Sequence, residues 1–333
     1  MKRKFILTGV VLLIVSLACT SSSTGMTPTA VSEGSQTITT AQSYSETSPP
    51  TDSLSINDSE QSPQELLNQI SEKSKGVLLD VTYCTVDGVE LKMDVYFPIK
   101  QSGKSPLVIY IHGGGWKSGD KHSLQGYIDV PTLLDAGFAI AFLNYRLAPD
   151  HLFPSMLEDV KCAVRSFRAN ADKYSIDPDK IGAWGWSAGA HLSSMLALTD
   201  ASEGFDVGEY GDESSRIQAV VLLASPADMS IDFSPIFIEA RDIAFVDYDL
   251  KKASPITYIT PDDPPFLILQ GDEDPVVTPD QGQIFYESLI TSGVEAELIV
   301  IENGDHSFLR PNQSPIRKEL TTMIVDFFVK HLK

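Results

Sequence analysis

The sequence predicts an α/β domain built on one mostly parallel sheet of eight strands, with helices on both faces. Three observations carry that expectation. Two extended segments joined by a turn pair open the domain, short apolar runs then alternate with longer helical stretches, and the chain of 333 residues is long enough for one large core even after a polar N-terminal region is set aside.

That N-terminal region comes first. Met1-Lys2-Arg3-Lys4 and the apolar stretch 5–17 read as an export signal over residues 1–18, too short for a membrane span. Ser16-Leu17-Ala18-Cys19 resembles a bacterial lipoprotein box, in which Cys19 would carry the lipid and tether the protein to a membrane. Ser16 and Ala18 equally suit ordinary signal cleavage and secretion. The lipoprotein form is preferred, because a cysteine directly after a leader is otherwise an odd choice for an exported chain. Residues 19–63 are rich in Ser, Thr and Pro, with no Lys or Arg. They cannot bury enough apolar surface to offset their ordering entropy, so a disordered stalk is expected. The folded domain is expected over 64–333.

Within it, Leu66, Leu67 and Ile70 give helical spacing over 63–75. Segments 77–84 and 91–97 read as strands joined through the turn pair Asp87-Gly88. Further strands are expected at 107–111, 138–143, 180–184, 219–223, 266–269 and 296–301. Helices are expected at 124–136, 154–173, 188–198, 279–292 and 315–333. The alternation lapses between Met229 and Pro264, where Phe233, Ile236, Phe237, Ile238, Phe245 and Tyr248 are scattered among acids. An insertion this long either forms a small cap over a functional site or is a plain surface excursion.

Charge narrows the partners. Asp plus Glu number 45 against 25 Lys plus Arg, a net charge of −20. Such a surface repels nucleic acid and anionic lipid, and its plainest use is solubility. Besides Cys19, the cysteines are Cys84 and Cys162. They could pair in an oxidising compartment. Since Cys84 falls in an early strand and Cys162 in a helix, both are read as buried small hydrophobes.

Two motifs carry chemistry. Gly185-Trp186-Ser187-Ala188-Gly189 follows an apolar strand and opens a helical run, the context of a nucleophile elbow. There the serine sits on a strained turn with its hydroxyl exposed, and the helix N-terminus offers backbone N–H groups to a developing anion. His112-Gly113-Gly114-Gly115-Trp116 follows another strand. Its glycines can aim amides inward as an oxyanion hole. Gly114, Gly115 and Ala188 are the expected donors.

The remaining partners follow from chain order, which in this architecture runs Ser, acid, His. Beyond the helical run that the elbow opens, which contains His191, only His306 and His331 are available. His331 lies next to the end of the last helix, whereas His306 lies in a turn directly after the last strand and is taken as the base. The acid belongs on the loop after the penultimate strand, where Asp272, Glu273 and Asp274 stand together. Asp274 is preferred because Asp272 suits the tight turn after Gly271 and Pro275 fixes the backbone just beyond Asp274; Glu273 is the nearest rival. No cofactor and no metal are expected, since His112, Asp120 and His122 offer no short ligand pair. Trp116 and Trp186 either line a substrate pocket or are packed as core.

With these residues in place, the chain from about Val77 to Leu332 resembles bacterial esterases related to hormone-sensitive lipase, and among them the feruloyl-esterase-like or carbohydrate-esterase-like branch. The resemblance is carried by His112 to Trp116 with Gly119-Asp120-Lys121, by Asn144-Tyr145-Arg146-Leu147-Ala148-Pro149, by Phe153-Pro154 with Glu158-Asp159-Val160, by Asp177-Pro178, by the elbow with His191-Leu192, and by Gly271 with Asp274-Pro275-Val276-Val277. Trp186 replaces an aspartate usual in the lipase relatives, Gly189-Ala190 replaces a glycine pair, and the segment before Val77 is too short for their large cap. These departures favour the feruloyl-esterase-like branch. The resemblance implies an α/β-hydrolase fold and hydrolysis of short-chain or aromatic carboxylic esters, free or linked to polysaccharide, through an acyl-enzyme. Glu158 and Asp159 have a sufficient reading as first-turn helix charges, and Tyr145 and Arg146 as scaffold. A peptidase or amidase would keep the same triad but need a site for the amine. A binding protein with a vestigial site is disfavoured because triad and oxyanion loop occur intact together.

Overall fold

Eight extended segments assemble into one sheet, and the burial along each follows its place in that sheet. The computed structural model describes residues 63–100, 103–123 and 130–333. The leader, Cys19, the stalk up to residue 62 and the first half of the helix expected at 124–136 lie outside the described residues. The strands are β1 (Ser74–Val86), β2 (Val89–Pro98), β3 (Ser105–Ile111), β4 (Ala139–Leu143), β5 (Ile176–Trp186), β6 (Ala219–Leu223), β7 (Phe266–Gly271) and β8 (Ala296–Ile301). Their order across the sheet is β1-β2-β4-β3-β5-β6-β7-β8. β1 pairs antiparallel with β2 and β2 with β4, and every later pairing is parallel.

β3, β4, β6 and β7 are buried at every position, as strands covered on both faces must be. β1 and β8, at the two edges, alternate between partly and fully exposed positions along much of their length. Within β3 the period of two divides the side chains between two cores. Leu107, Ile109 and Ile111 join Met156, Val160, Leu192 and Met195 on one face, while Val108 and Tyr110 join Leu133, Ile324 and Phe328 on the other.

The helices are α1 (Pro63–Glu72), α2 (Val130–Asp135), α3 (Ser155–Ala169), α4 (Ala171–Tyr174), α5 (Ala188–Leu198), α6 (Pro235–Ala244), α7 (Pro279–Thr291) and α8 (Arg317–Leu332). The single helix expected over 154–173 is interrupted at Asn170, whose φ of −114° leaves the helical region. α5 is buried at all its positions. Its hydroxyls are satisfied inside the helix, Ser193 donating to the Gly189 carbonyl and Ser194 to that of His191, both at 2.8 Å. A helix apolar or self-satisfied all round can lie in the middle of a large domain.

Two expectations need correction. Cys84 and Cys162 are not separate buried thiols but form a disulfide. The C-terminal half of β1 lies against α3, which brings residues 78 apart in sequence to a Cα separation of 6.5 Å. Closing so long a loop restricts the unfolded chain, so replacing both cysteines by alanine is expected to lower the unfolding free energy by about 2–4 kcal/mol. Chemical denaturation of the two proteins measures this, and coincident midpoints would contradict it. Asp159 is likewise more than a first-turn charge. It is fully buried and accepts from Arg146, through the backbone N–H at 2.8 Å and through the guanidinium at 2.7–3.0 Å. That pair anchors the segment Asn144–Pro149 to α3, and each charge offsets the desolvation of the other.

Candidate active site

The parallel strands deliver their loops to one edge. β3 lies between β4 and β5, so the chain leaves β3 to one side and returns on the other, which opens a crevice at its carboxyl end. In register, Ile111 sits opposite Gly185, Trp186 opposite Leu223, Leu223 opposite Leu269 and Gly271 opposite Ile301. The loop after β3, the turn after β5, and the loops after β7 and β8 therefore start at one level.

Ser187 occupies the turn from β5 to α5. Its φ of 56° and ψ of −119° lie outside the ordinary regions for an L-residue, a conformation that costs about 1–3 kcal/mol. The turn is held by the Ser187 amide, which donates to the Leu223 carbonyl at 2.9 Å, and by the His191 amide, which donates to the Ser187 carbonyl at 3.0 Å. Gly189 explains how close the elements come: a Cβ there would overlap the carbonyl oxygen of Ile111 at the end of β3. α5 thus begins directly over the start of the His112–Trp116 loop.

In that loop Gly114 and Gly115 both have positive φ, 115° and 59°. The amides of Gly114, Gly115 and Ala188 donate to no acceptor among the described residues. The Gly114 carbonyl, by contrast, is turned back into the loop and accepts from Lys117 and Ser118. Further along, Lys121 is fastened to the buried Asp94 of β2 at 2.9 Å.

His306 and Asp274 are joined directly, Nδ1 of the imidazole lying 2.8 Å from Oδ2 of the carboxylate. Oδ1 accepts from the backbone N–H groups of Val276 at 2.8 Å and Val277 at 3.0 Å. The carboxylate is wholly buried, whereas the imidazole keeps 15% of its side-chain exposure. Because an ionised carboxylate only accepts, Nδ1 carries the hydrogen and Nε2 is the basic nitrogen. Asp272 and Glu273, the other acids of this loop, are exposed. Glu273 pairs with Arg310, and Arg310 also reaches Asp305 at 3.2 Å. Two backbone bonds, from Asp272 to Ile301 and from Glu273 to Gly304, complete the attachment of the acid loop to the histidine loop. Arg310 was not singled out from the sequence, although it is the first Lys or Arg after Lys252, a lone cation following a stretch of acids.

Trp186 connects the Ser187 turn to the His306 loop. Its indole N–H donates to the His306 carbonyl at 2.7 Å, the two rings lie 4.9 Å apart, and a Cβ on Gly113 would overlap the indole. It is half-buried at the site, with its N–H already used. No hydrogen bond joins the Ser187 hydroxyl to the His306 ring among the described residues. The link between their two loops is Trp186, which precedes Ser187 in the chain and donates to the His306 carbonyl. Trp116 is placed differently: it is 1% exposed, with its indole edge-on to Phe245 at 5.0 Å and to His191 at 5.3 Å. Of the two roles open to it, it takes the core one.

The 229–264 insertion packs on these loops. Glu239 pairs with Lys117 at 3.0 Å, the Ser234 hydroxyl donates to the Val276 carbonyl at 2.7 Å, and Phe237 lies against Trp116. α6 and the residue before it therefore reach from the glycine loop to the acid loop.

Such an arrangement can remove a hydroxyl proton, hold an anion on backbone amides and exclude part of the solvent. The chain is similar to known proteins. A family model described as BD-FAE matches residues 93–289. Among curated relatives, Esterase LipC of Mycobacterium tuberculosis is 33% identical over 215 residues, covering 61% of this chain and 53% of the relative. Carboxylesterase NlhH of the same species is 28% identical over 236 residues, covering 64% and 69%. The chain spans about half the length of LipC and of the similar mycobacterial hydrolases LipM and LipQ. Among solved structures, a truncated carbohydrate esterase from gut microbiota superposes with a TM-score of 0.67 at 27% identity, covering 78% of this chain and 96% of that one. A bifunctional GH43-CE protein of Bacteroides eggerthii gives 0.66 at 30% identity over 77% of this chain and 35% of that one.

Proposed function

The chain belongs to the BD-FAE family, and on that premise we propose that it is a serine hydrolase cleaving carboxylic esters, with Ser187 as nucleophile, His306 as base and Asp274 as the acid that orients it. The observation that carries the reading is the buried Asp274–His306 pair, delivered to the sheet edge where Ser187 sits on its strained turn.

The chemistry follows from the groups present. As the Ser187 Oγ attacks the ester carbon, its proton passes to His306 Nε2. The carbonyl oxygen becomes an anion received by the amides of Gly114, Gly115 and Ala188, where one donor is worth about 3 kcal/mol. His306 then gives the proton to the leaving alkoxide, the ester C–O bond breaks and an acyl-serine remains. Water, deprotonated by the same imidazole, releases the acid. Asp274 keeps the hydrogen on Nδ1 and offsets the imidazolium charge throughout.

The substrates proposed are esters of short-chain or aromatic acids, including those attached to polysaccharide. The two carbohydrate-esterase neighbours and the small size of the insertion support that choice. Export, as a tethered lipoprotein through Cys19 or as a secreted protein, is supported by the leader sequence and by the disulfide between Cys84 and Cys162. A panel of p-nitrophenyl acetate, butyrate and laurate, methyl ferulate and an aminoacyl anilide tests the reading on the purified protein. Acetate or butyrate is expected to turn over fastest and laurate poorly. Preferred cleavage of the anilide would replace the ester assignment by an amidase.

A further inference from the structure

We propose that His191 is a positioning residue: it holds Trp116, and through it the oxyanion loop, against the 229–264 insertion. The proposal rests on the reading of Gly114 and Gly115 as oxyanion donors. His191 lies one turn into α5, is fully buried and takes no part in the proton transfers above. Both ring nitrogens are nevertheless engaged. Nε2 lies 2.7 Å from the carbonyl oxygen of Ala253 in the insertion, and Trp116 Nε1 donates to Nδ1 at 3.3 Å. A carbonyl only accepts, so Nε2 carries the hydrogen; an indole N–H only donates, so Nδ1 keeps its lone pair. The two contacts determine one neutral tautomer, and burial, which pushes the imidazole down to about 4, agrees with it.

The consequence lies in Trp116. Its φ of 58° is strained for a bulky residue and persists only where its surroundings hold it. Its carbonyl is held by the Ala148 amide at 2.9 Å, its ring by Phe245 and Phe237, and its N–H by His191 alone. Gly115 precedes it directly and is backed by α6, where Ala240 Cβ lies 3.0 Å from the place a Cβ on Gly115 would occupy. Without the His191 acceptor, the buried indole N–H is left unpaired and the backbone at 116 is freer to relax. The adjoining amides at 114 and 115 are then held less firmly. An oxyanion contact exists only in the transition state, so the loss falls on kcat rather than on KM.

Steady-state kinetics on p-nitrophenyl acetate and butyrate, together with thermal unfolding, test this on the full chain. Trp116→Phe keeps one aromatic ring but removes the N–H donor together with the pyrrole half of the buried indole, a packing loss that thermal unfolding reads separately; it is expected to fold and to lose about tenfold or more in kcat, with KM within about twofold. His191→Gln keeps a donor and an acceptor on one planar group and is expected to stay within about threefold of the wild type. His191→Leu is expected to match Trp116→Phe, and the double variant to be no worse than either. If His191→Leu fails to fold, the other two single variants decide. A folded Trp116→Phe with unchanged kcat, a loss confined to KM, or a His191→Gln as slow as Trp116→Phe would overturn the proposal. Absence of Ser187-dependent turnover in the wild type would instead remove the functional reading, and this role with it.

Discussion

Replacing Ser187 by alanine is expected to lower kcat for p-nitrophenyl butyrate by about 10⁶-fold and to leave KM and the unfolding midpoint nearly unchanged. The size of the effect comes from the division of labour at the sheet edge. Without the hydroxyl there is no acyl-enzyme, and His306 can only assist water directly, from a position set for Ser187 rather than for the ester. The fold has no reason to suffer. Alanine at φ 56° is no more strained than serine, and the turn is held by backbone bonds to Leu223 and His191 that do not involve the side chain. A residual rate within tenfold of the wild type, measured on protein free of wild-type contamination, would show that the nucleophile lies elsewhere.

Replacing Asp274 by asparagine is expected to lower kcat by about 10⁴-fold at neutral pH. The direction of the amide is dictated by its surroundings. The N–H groups of Val276 and Val277 both need an acceptor where Oδ1 now stands, so the asparagine oxygen must face them and its NH₂ must face His306. Two donors cannot share one hydrogen bond, and the imidazole is driven to carry its hydrogen on Nε2. In that tautomer it cannot accept the Ser187 proton. The pair is nearly isosteric, so stability should change far less than rate. Comparison of kcat with the denaturation midpoint distinguishes this account from a role for Asp274 in folding alone.

The sheet was legible because its strands are short continuous apolar runs closed by glycine, proline or acidic turns. Fully buried parallel strands leave few other readings for β3, β6 and β7. Asp274 was distinguishable from Asp272 and Glu273 because a proline follows it, and the observed backbone turns only Asp274 inward. What escaped notice depends on contacts between elements far apart in the chain. Cys84 and Cys162 are unremarkable until β1 is laid against α3. Trp116 reads equally well as pocket or core until Phe237 and Phe245 arrive from an insertion with no strong periodicity. His191 stood inside a recognised motif, but its partners are a tryptophan 75 residues before it and a carbonyl 62 residues after it, and no local pattern announces them. The break at Asn170 escaped because helical spacing continues across it.

The convergence of position 187 with the Asp274–His306 pair is tested most directly by covalent labelling with an alkyl fluorophosphonate, followed by mass mapping. The serine oxygen bonds to phosphorus, fluoride leaves and His306 takes the proton, so only a serine served by a base reacts quickly. One adduct per chain is expected, on the peptide containing Ser187, absent in Ser187→Ala and formed far more slowly in His306→Ala. An adduct on another residue, or labelling of Ser187 at the same rate without the imidazole, would contradict the account.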